Sequence, residues 1–305
     1  LGAALGGNCE VAVTFVPLAS LRHAGALLEL EAYAVRGGSR ETVNVPGLAR
    51  AGAGFCHGIK CGDFCFVSGQ SALTAEGAVR FPGDLVSQNK ACLDGLEAVL
   101  AELGMGPETI VKGNSWRADP PSVEAYTLAA KDRFRFFADA RPSFTGITIP
   151  GLEPQGLFIR LDVWAMSGDI ERQRLAPPNH WGWALKTTYS HGFRAGQWLF
   201  IGGQAALDLH CNVLSSDELL PQTGITMDYI ESILTAAGGG PDDVVKLNEL
   251  HVAAPHDTAA LEVLGVHASR FGRESPAWSG VPVDHLAYQG QSIEIDAIAR
   301  LSGRA

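Results

Sequence analysis

From Asp84 to Leu103 the apolar residues Leu93, Leu96, Val99, Leu100 and Leu103 recur every three or four positions, the period of one helix face. Gly104 is a natural residue for ending that helix, and Pro107 lies just beyond it. Upstream, residues 62–73 alternate, are rich in Phe and Val and end in Gly-Gln, which predicts a hairpin strand. Ile110–Trp116 reads as a strand, and Val123–Ala138 as a second helix ending in Phe134, Phe136 and Phe137. Two closing strands follow, 144–150 and 157–166, joined by a Gly/Pro turn. Helices inserted between paired strands, all covering one face of the sheet, make a two-layer α+β domain.

The pattern then repeats. FCHGIKCGDFCFVSGQSAL begins at Phe55 and YSHGFRAGQWLFIGGQAAL at Tyr189, 134 residues later. Between His57 and Leu73, eight of 17 positions are identical in that register. The register holds without a gap: Gly104, Gly106 and Pro107 fall on Gly238, Gly240 and Pro241, and Lys112 and Asn114 on Lys246 and Asn248. Further on, Pro142 and Gly146 fall on Pro276 and Gly280, and Ile159, Asp162 and Ala165 on Ile293, Asp296 and Ala299. A domain has been duplicated.

The opening segment belongs to the same pattern at an offset of 131, with Thr14 on Thr145, Leu21 on Leu152, Gly25 on Gly156, and Leu30-Glu31 on Leu161-Asp162. Residues 1–36 therefore read as the C-terminal fragment of a first copy. A Gly/Ser/Arg-rich linker spans 37–53, the second repeat 54–166, a linker strap with a Pro-Pro pair and two tryptophans 167–188, and the third repeat 189–305.

Charge and composition narrow the function. The net charge of −10, with no basic stripe, argues against a nucleic-acid partner, which needs clustered Lys and Arg. No apolar run approaches the ~20 residues that cross a bilayer, so no membrane partner is expected. The opening LGAALGG has no basic n-region of a signal peptide, and six irregularly spaced cysteines suit a reducing compartment; the expectation is cytoplasmic. Cys56, Cys61 and Cys65 beside His57 have Ser190, Ala195 and Leu199 as counterparts and lack zinc-knuckle spacing, so they read as core thiols and no metal site is expected. His57 and His191, each before a glycine, read as closing a hydrogen bond at the start of a strand.

GDFCFVSGQ and GQWLFIGGQ, the strand after a Gly-Pro turn, and the closing IEIDAIA resemble the Rid (YjgF) reactive-intermediate deaminase family over 55–166 and 189–301, with the tail of a copy in 14–36. The resemblance implies a chorismate-mutase-like α+β fold and clefts between subunits of a trimer, here an internal or intermolecular pseudo-trimer of tandem repeats. It implies hydrolysis of enamines and imines of small acids without a cofactor. The implied partners are a small-molecule substrate and the missing part of the first repeat, from a companion chain or a segment outside the structure. A homo-oligomer is a further expectation.

The resemblance also assigns site residues. The second acid of the closing strand, which positions water in the family, matches Glu31, Asp162 and Asp296. A partly desolvated carboxyl at that place can deliver water and protonate nitrogen. The arginine that holds a substrate carboxylate in the family is replaced in Phe144-Thr145-Gly146 and Trp278-Ser279-Gly280, which favours a larger, flatter or less charged ligand. Arg141 and Arg160 are the conceivable substitutes. Tyr189 and Phe55 at the entry strand, Ser68 and Gln70, and Gly203 and Gln204 complete the expected walls. Arg160, on the face of Asp162, is expected to favour that acid's ionised form, whereas Glu294 and Glu29 should raise the proton affinity of Asp296 and Glu31. The expected function is a cofactor-free imine or enamine hydrolase; the alternative is a non-catalytic binding or assembly protein on the same fold.

Overall fold

The computed structural model describes residues 10–23, 25–183, 187–252, 259–271 and 275–303. Its elements run in the predicted order, and two compact units emerge.

The first unit comprises residues up to Pro17, Tyr33–Arg141 and Pro150–Asp169. It holds β1 (Val11–Ala12), β2 (Arg40–Val43), β3 (Phe55–Cys56), β4 (Gly58–Cys61), β5 (Phe64–Ser71), α1 (Leu85–Glu102), β6 (Ile110–Arg117) and α2 (Val123–Phe136). Strand β7 (Ser143–Thr148) falls in the second unit, and β8 (Ile159–Met166) returns to the first. The sheet order is β2-β4-β5-β8-β6, with β8 antiparallel to both neighbours. Helix α1 starts where its sequence dictates: the Asp84 carboxylate accepts from the Ser87 amide at 3.0 Å, satisfying a donor that the first turn leaves open. Its buried stripe, Leu93, Leu96, Val99 and Leu100, covers the sheet face formed by Ile159, Leu161 and Val163, all fully buried. The segment read as a loose linker contributes the edge strand β2, because its Arg40–Val43 backbone finds an unpaired edge at β4.

The second unit comprises Leu18–Ala32, Pro142–Ile149 and Ile170 onward. It holds β7 and β9 (Arg172–Leu175), β10 (Gly192–Ala195), β11 (Trp198–Gln204), α3 (Leu219–Ala236), β12 (Val244–Val252), α4 (Ala259–Arg270), β13 (Ala277–Val283) and β14 (Ile293–Arg300). Here the sheet order is β13-β12-β14-β11-β10-β9. Ile293, Ile295, Ala297 and Ala299 meet Met227, Ile230, Ile233 and Leu234 of α3 in one core. The strap supplies β9 to the edge at β10, as β2 does in the first unit.

The two straps also explain the paired histidines. His57 accepts the Val45 amide at Nδ1 (2.9 Å) and bonds the Ala49 carbonyl through Nε2 (3.0 Å). Val43 pairs with Gly58 and Leu175 with Gly192, so the counterpart of Val45 is Pro177, which has no N–H. Nδ1 of His191 is accordingly buried without a hydrogen bond. Burial, then the nearby His180, pushes His191 down to about 3, against hydrogen bonds to the Trp181 backbone and Gln204.

Candidate functional site

The register of the third copy is visible in backbone geometry. Gly25, Gly156 and Gly290 all adopt left-handed conformations (φ 78°, 100° and 82°), where a side chain would be strained. Among the described residues, the segment before the acid-bearing strand in the first and second copies meets the next copy along a seam, and β13 of the last copy is linked to Glu31 of the first-copy tail through Lys246.

In the first unit, residues 11–15 lie along the second repeat. Val11 and Ala12 pair in parallel with Phe55 and Cys56. The Val13 amide donates to Ser68 Oγ at 2.9 Å, and Ser68 Oγ donates to the Cys56 carbonyl at 2.5 Å. Ser68 therefore works as a clasp between strands. Asp162 is 7% exposed and accepts from Asn114 Nδ2 (2.8 Å), Trp116 Nε1 (2.7 Å) and the Thr14 side chain. Asn114 sits directly opposite it on β6. Burial raises its proton affinity, and those hydrogen bonds oppose the rise without cancelling it. The expectation that Arg160 sets the ionisation of Asp162 is thus corrected. Arg160 donates to Ser71 Oγ (2.9 Å), the Phe15 carbonyl and the Glu153 carbonyl (3.0 Å). Phe55 meets Phe15 edge-on at 5.5 Å, and Gln70 bonds back to the Ser68 carbonyl at 2.9 Å.

In the second unit, β7 lies along the third repeat. The Ser190 amide donates to the Pro142 carbonyl at 3.0 Å. Phe144 stacks on Tyr189, with ring centroids 4.3 Å apart and planes 13° from parallel. Thr145 Oγ1 donates to Asp296 Oδ2 at 2.8 Å, and Asn248, directly opposite on β12, donates to Oδ1 at 3.0 Å. Thr14 and Thr145, aligned from sequence, make the same kind of bond to equivalent acids, Asp162 and Asp296. Strand alternation places Phe144 and Thr145 on opposite faces, so the aromatic platform and the acid do not share one wall. Gly202 stands where the second repeat has Ser68, and a Cβ there would lie 2.7 Å and 2.8 Å from the Phe144 carbonyl oxygen and amide nitrogen. Gly203 leaves room for the Glu294 side chain. Gln204 bonds to the Gly202 carbonyl (2.9 Å) and to His180 (2.8 Å).

The other seam of this unit differs in chemistry. Ser279 accepts from Lys246 Nζ at 2.6 Å, and that ammonium is 3.2 Å from Glu31 Oε2. The Glu31 side chain is 34% exposed, whereas Asp296 is a 4% exposed residue. On the opposite face of β13, the Arg22 guanidinium lies 4.4 Å from the centre of the Trp278 ring, and Trp278 Nε1 donates to Glu249 Oε2 at 2.9 Å. Glu249 is 1% exposed; His267 Nε2 reaches the same oxygen at 2.9 Å. His251 Nδ1 lies 2.8 Å from Oε1, out of line for a hydrogen bond. Burial alone would raise Glu249, but the two imidazoles outweigh it and bring it to about 2.

Sequence reasoning did not find Arg22, Lys246 or the Glu249–His251–His267 cluster. A signal for Lys246 existed, because Lys112 and Asn114 recur as Lys246 and Asn248 on the strand facing the acid. Arg22 and the cluster belong to one copy only; the counterparts of Glu249, His251 and His267 are Ser115, Arg117 and Arg133. Arg141, with a left-handed backbone (φ 50°), bonds to the Ala138 carbonyl at 3.0 Å in the loop before β7. Cys56 and Cys65 are buried thiols, pushed up by burial to about 11 and 12. Among the described residues no group of three His, Cys, Asp or Glu could hold a metal, and no helix is long and apolar enough to cross a membrane.

A RutC family protein of Pyrococcus horikoshii is 34% identical over 111 residues, covering 36% of this chain and 85% of its own length. The crystal structure of RidA from the Antarctic bacterium Psychrobacter is 26% identical, covers 42% of this chain and 99% of its own, and gives a TM-score of 0.37. A chorismatase crystal structure aligns over 85% of this chain and 79% of its own at 15% identity, with a TM-score of 0.57, a likeness of fold. The family model described as Endoribonuclease L-PSP matches twice, over residues 48–165 and 183–301, so that, with its two α+β copies in register, the chain belongs to the Rid (YjgF, L-PSP) family as a tandem-repeat member.

Proposed function

We propose that this chain is a small-molecule hydrolase acting on a C=N or enamine bond, and that Glu31 is its working acid. The observation that carries this reading is the contrast among the three seams. Asp162 and Asp296 are buried and saturated by neutral side-chain donors, an arrangement that fixes strands. Glu31 is partly open and stands beside an ammonium and a hydroxyl. A carboxylate so placed can take a proton from water as it attacks the imine carbon, and return it to the departing nitrogen. Lys246 supplies the positive charge that a small acid's carboxylate requires.

The test is imine hydrolysis with the imine generated in situ, and with chorismate as a second substrate because the fold neighbour is named for it. Glu31→Gln should lose about two decades or more of rate with an unchanged melting temperature. Asp162→Asn and Asp296→Asn should lose stability first. Equal turnover in wild type and Glu31→Gln would end this assignment. The non-catalytic reading is favoured by one observation, the Phe144–Tyr189 stack that fills the place of the family's arginine. Wild-type protein that binds small acids and turns over none would establish it. The endoribonuclease in the family's description finds no support in a chain of net charge −10.

A further inference from the structure

One hydroxyl position recurs in all three copies, as Thr14, Thr145 and Ser279. In the first two its partner is a buried acid: the Thr14 side chain bonds to Asp162, and Thr145 Oγ1 donates to Asp296 Oδ2 at 2.8 Å. In the last copy an amine is brought to the hydroxyl. Ser279 pairs with Asn248 across β12 and β13, and Lys246 lies two residues away on the same face of β12. Lys246 Nζ is 2.6 Å from Ser279 Oγ and 3.2 Å from Glu31 Oε2. The lysine side chain is 9% exposed, whereas Ser279 and Glu31 are open in part. Hydroxyl, amine and carboxylate form a chain of three proton-exchanging groups, all within the second unit. Here the residue is also serine rather than threonine, a primary hydroxyl without the methyl group that crowds an attacking oxygen.

We propose that Ser279 and Lys246 form a serine–lysine nucleophile pair that transfers acyl groups, with esters of small acids as the substrate class. A serine hydroxyl is a weak nucleophile until an adjacent base takes its proton, and an amine at hydrogen-bond distance is such a base. The resting ammonium first passes a proton to Glu31. Ser279 Oγ then bonds to the ester carbon while its own proton moves to Lys246. The bond from that carbon to the leaving alkoxide breaks, and Lys246 returns the proton to the alkoxide. Water attacks the acyl-serine with the same amine as base, releasing the acid and restoring Ser279. The sum is ester plus water to acid plus alcohol. This activity shares the seam of the imine chemistry but does not rest on it, because the new covalent bond is made by Ser279.

The test is labelling of the 305-residue chain by a fluorophosphonate at neutral pH, with the adduct mapped by peptide mass spectrometry and hydrolysis of p-nitrophenyl acetate followed in parallel. A single adduct on Ser279 is expected. Lys246→Gln should slow both its formation and ester hydrolysis about 100-fold, the scale of a lost general base. Folded wild-type protein with no adduct on Ser279 would overturn the proposal, whether or not the variant folds. So would equal labelling rates in wild type and a folded Lys246→Gln. Labelling at Ser279 without imine turnover would leave this proposal standing and end the imine reading; imine turnover without labelling would do the reverse.

Discussion

Gly202→Ala tests the seam between β7 and the third repeat with a single methyl group. The added Cβ would meet the Phe144 backbone at 2.7 Å and 2.8 Å, well inside van der Waals contact, and backbone atoms cannot rotate away. The strand must retreat by several tenths of an ångström. Overpacking of this kind costs about 1–3 kcal/mol. The retreat also pulls Thr145 from Asp296, whose buried carboxylate then keeps one donor fewer, a further ~1.5–3 kcal/mol. The Phe144–Tyr189 stack adds about 1 kcal/mol if it opens. These terms overlap, so the expected loss is about 3–5 kcal/mol, on the order of 10 °C in the melting of a unit this size. Ser68→Gly, the reciprocal change in the second repeat, removes the two bonds of the clasp, from the Val13 amide and to the Cys56 carbonyl, and should cost about 1–3 kcal/mol. Thermal unfolding followed by tryptophan fluorescence, with hydrogen exchange at residues 143–148, measures both. A Gly202→Ala protein within about 1 °C of wild type would refute the close-approach argument.

Two further outcomes follow from buried charge. His191 is held neutral in the folded chain, so the unfolded state takes up the proton first and stability should fall as pH drops from 6.5 towards 3. At pH 5 this amounts to about 2 kcal/mol, and His191→Gln should flatten that part of the melting-temperature profile. The sign reverses for Glu249: its depressed value contributes stability that is present above 4.5 and lost as pH falls towards 2. Glu249→Gln should cost about 1–3 kcal/mol at neutral pH by removing the carboxylate that Trp278 and His267 bond to, and should remove the decline below 4.5. Unchanged melting at neutral pH would show that Trp278 and the histidines are held by packing alone.

Much of this molecule is legible along the chain, because duplication writes the fold twice. The stripe from Leu93 to Leu100, the Asp84 cap and the glycines at 104 and 156 act over a few residues, so local spacing determines them. The sequence aligns Thr14 with Thr145 as one position of the repeat, but that the two donate to Asp162 and Asp296 is visible only in the structure. Burial and pairing across seams obey no such local rule. Nothing adjacent to Arg160 reveals that its donors go to Ser71, Phe15 and Glu153, nor that Asp162 is closed off by Trp116 and Asn114. The same holds for Glu249 between two imidazoles, and for Arg22 over Trp278, segments more than 200 residues apart. Whether an acid is a strand clasp or an open carboxyl depends on desolvation and on donors arriving from distant strands. Only the tertiary structure sets those for Asp162, Asp296 and Glu31, three residues the sequence presents as equivalent.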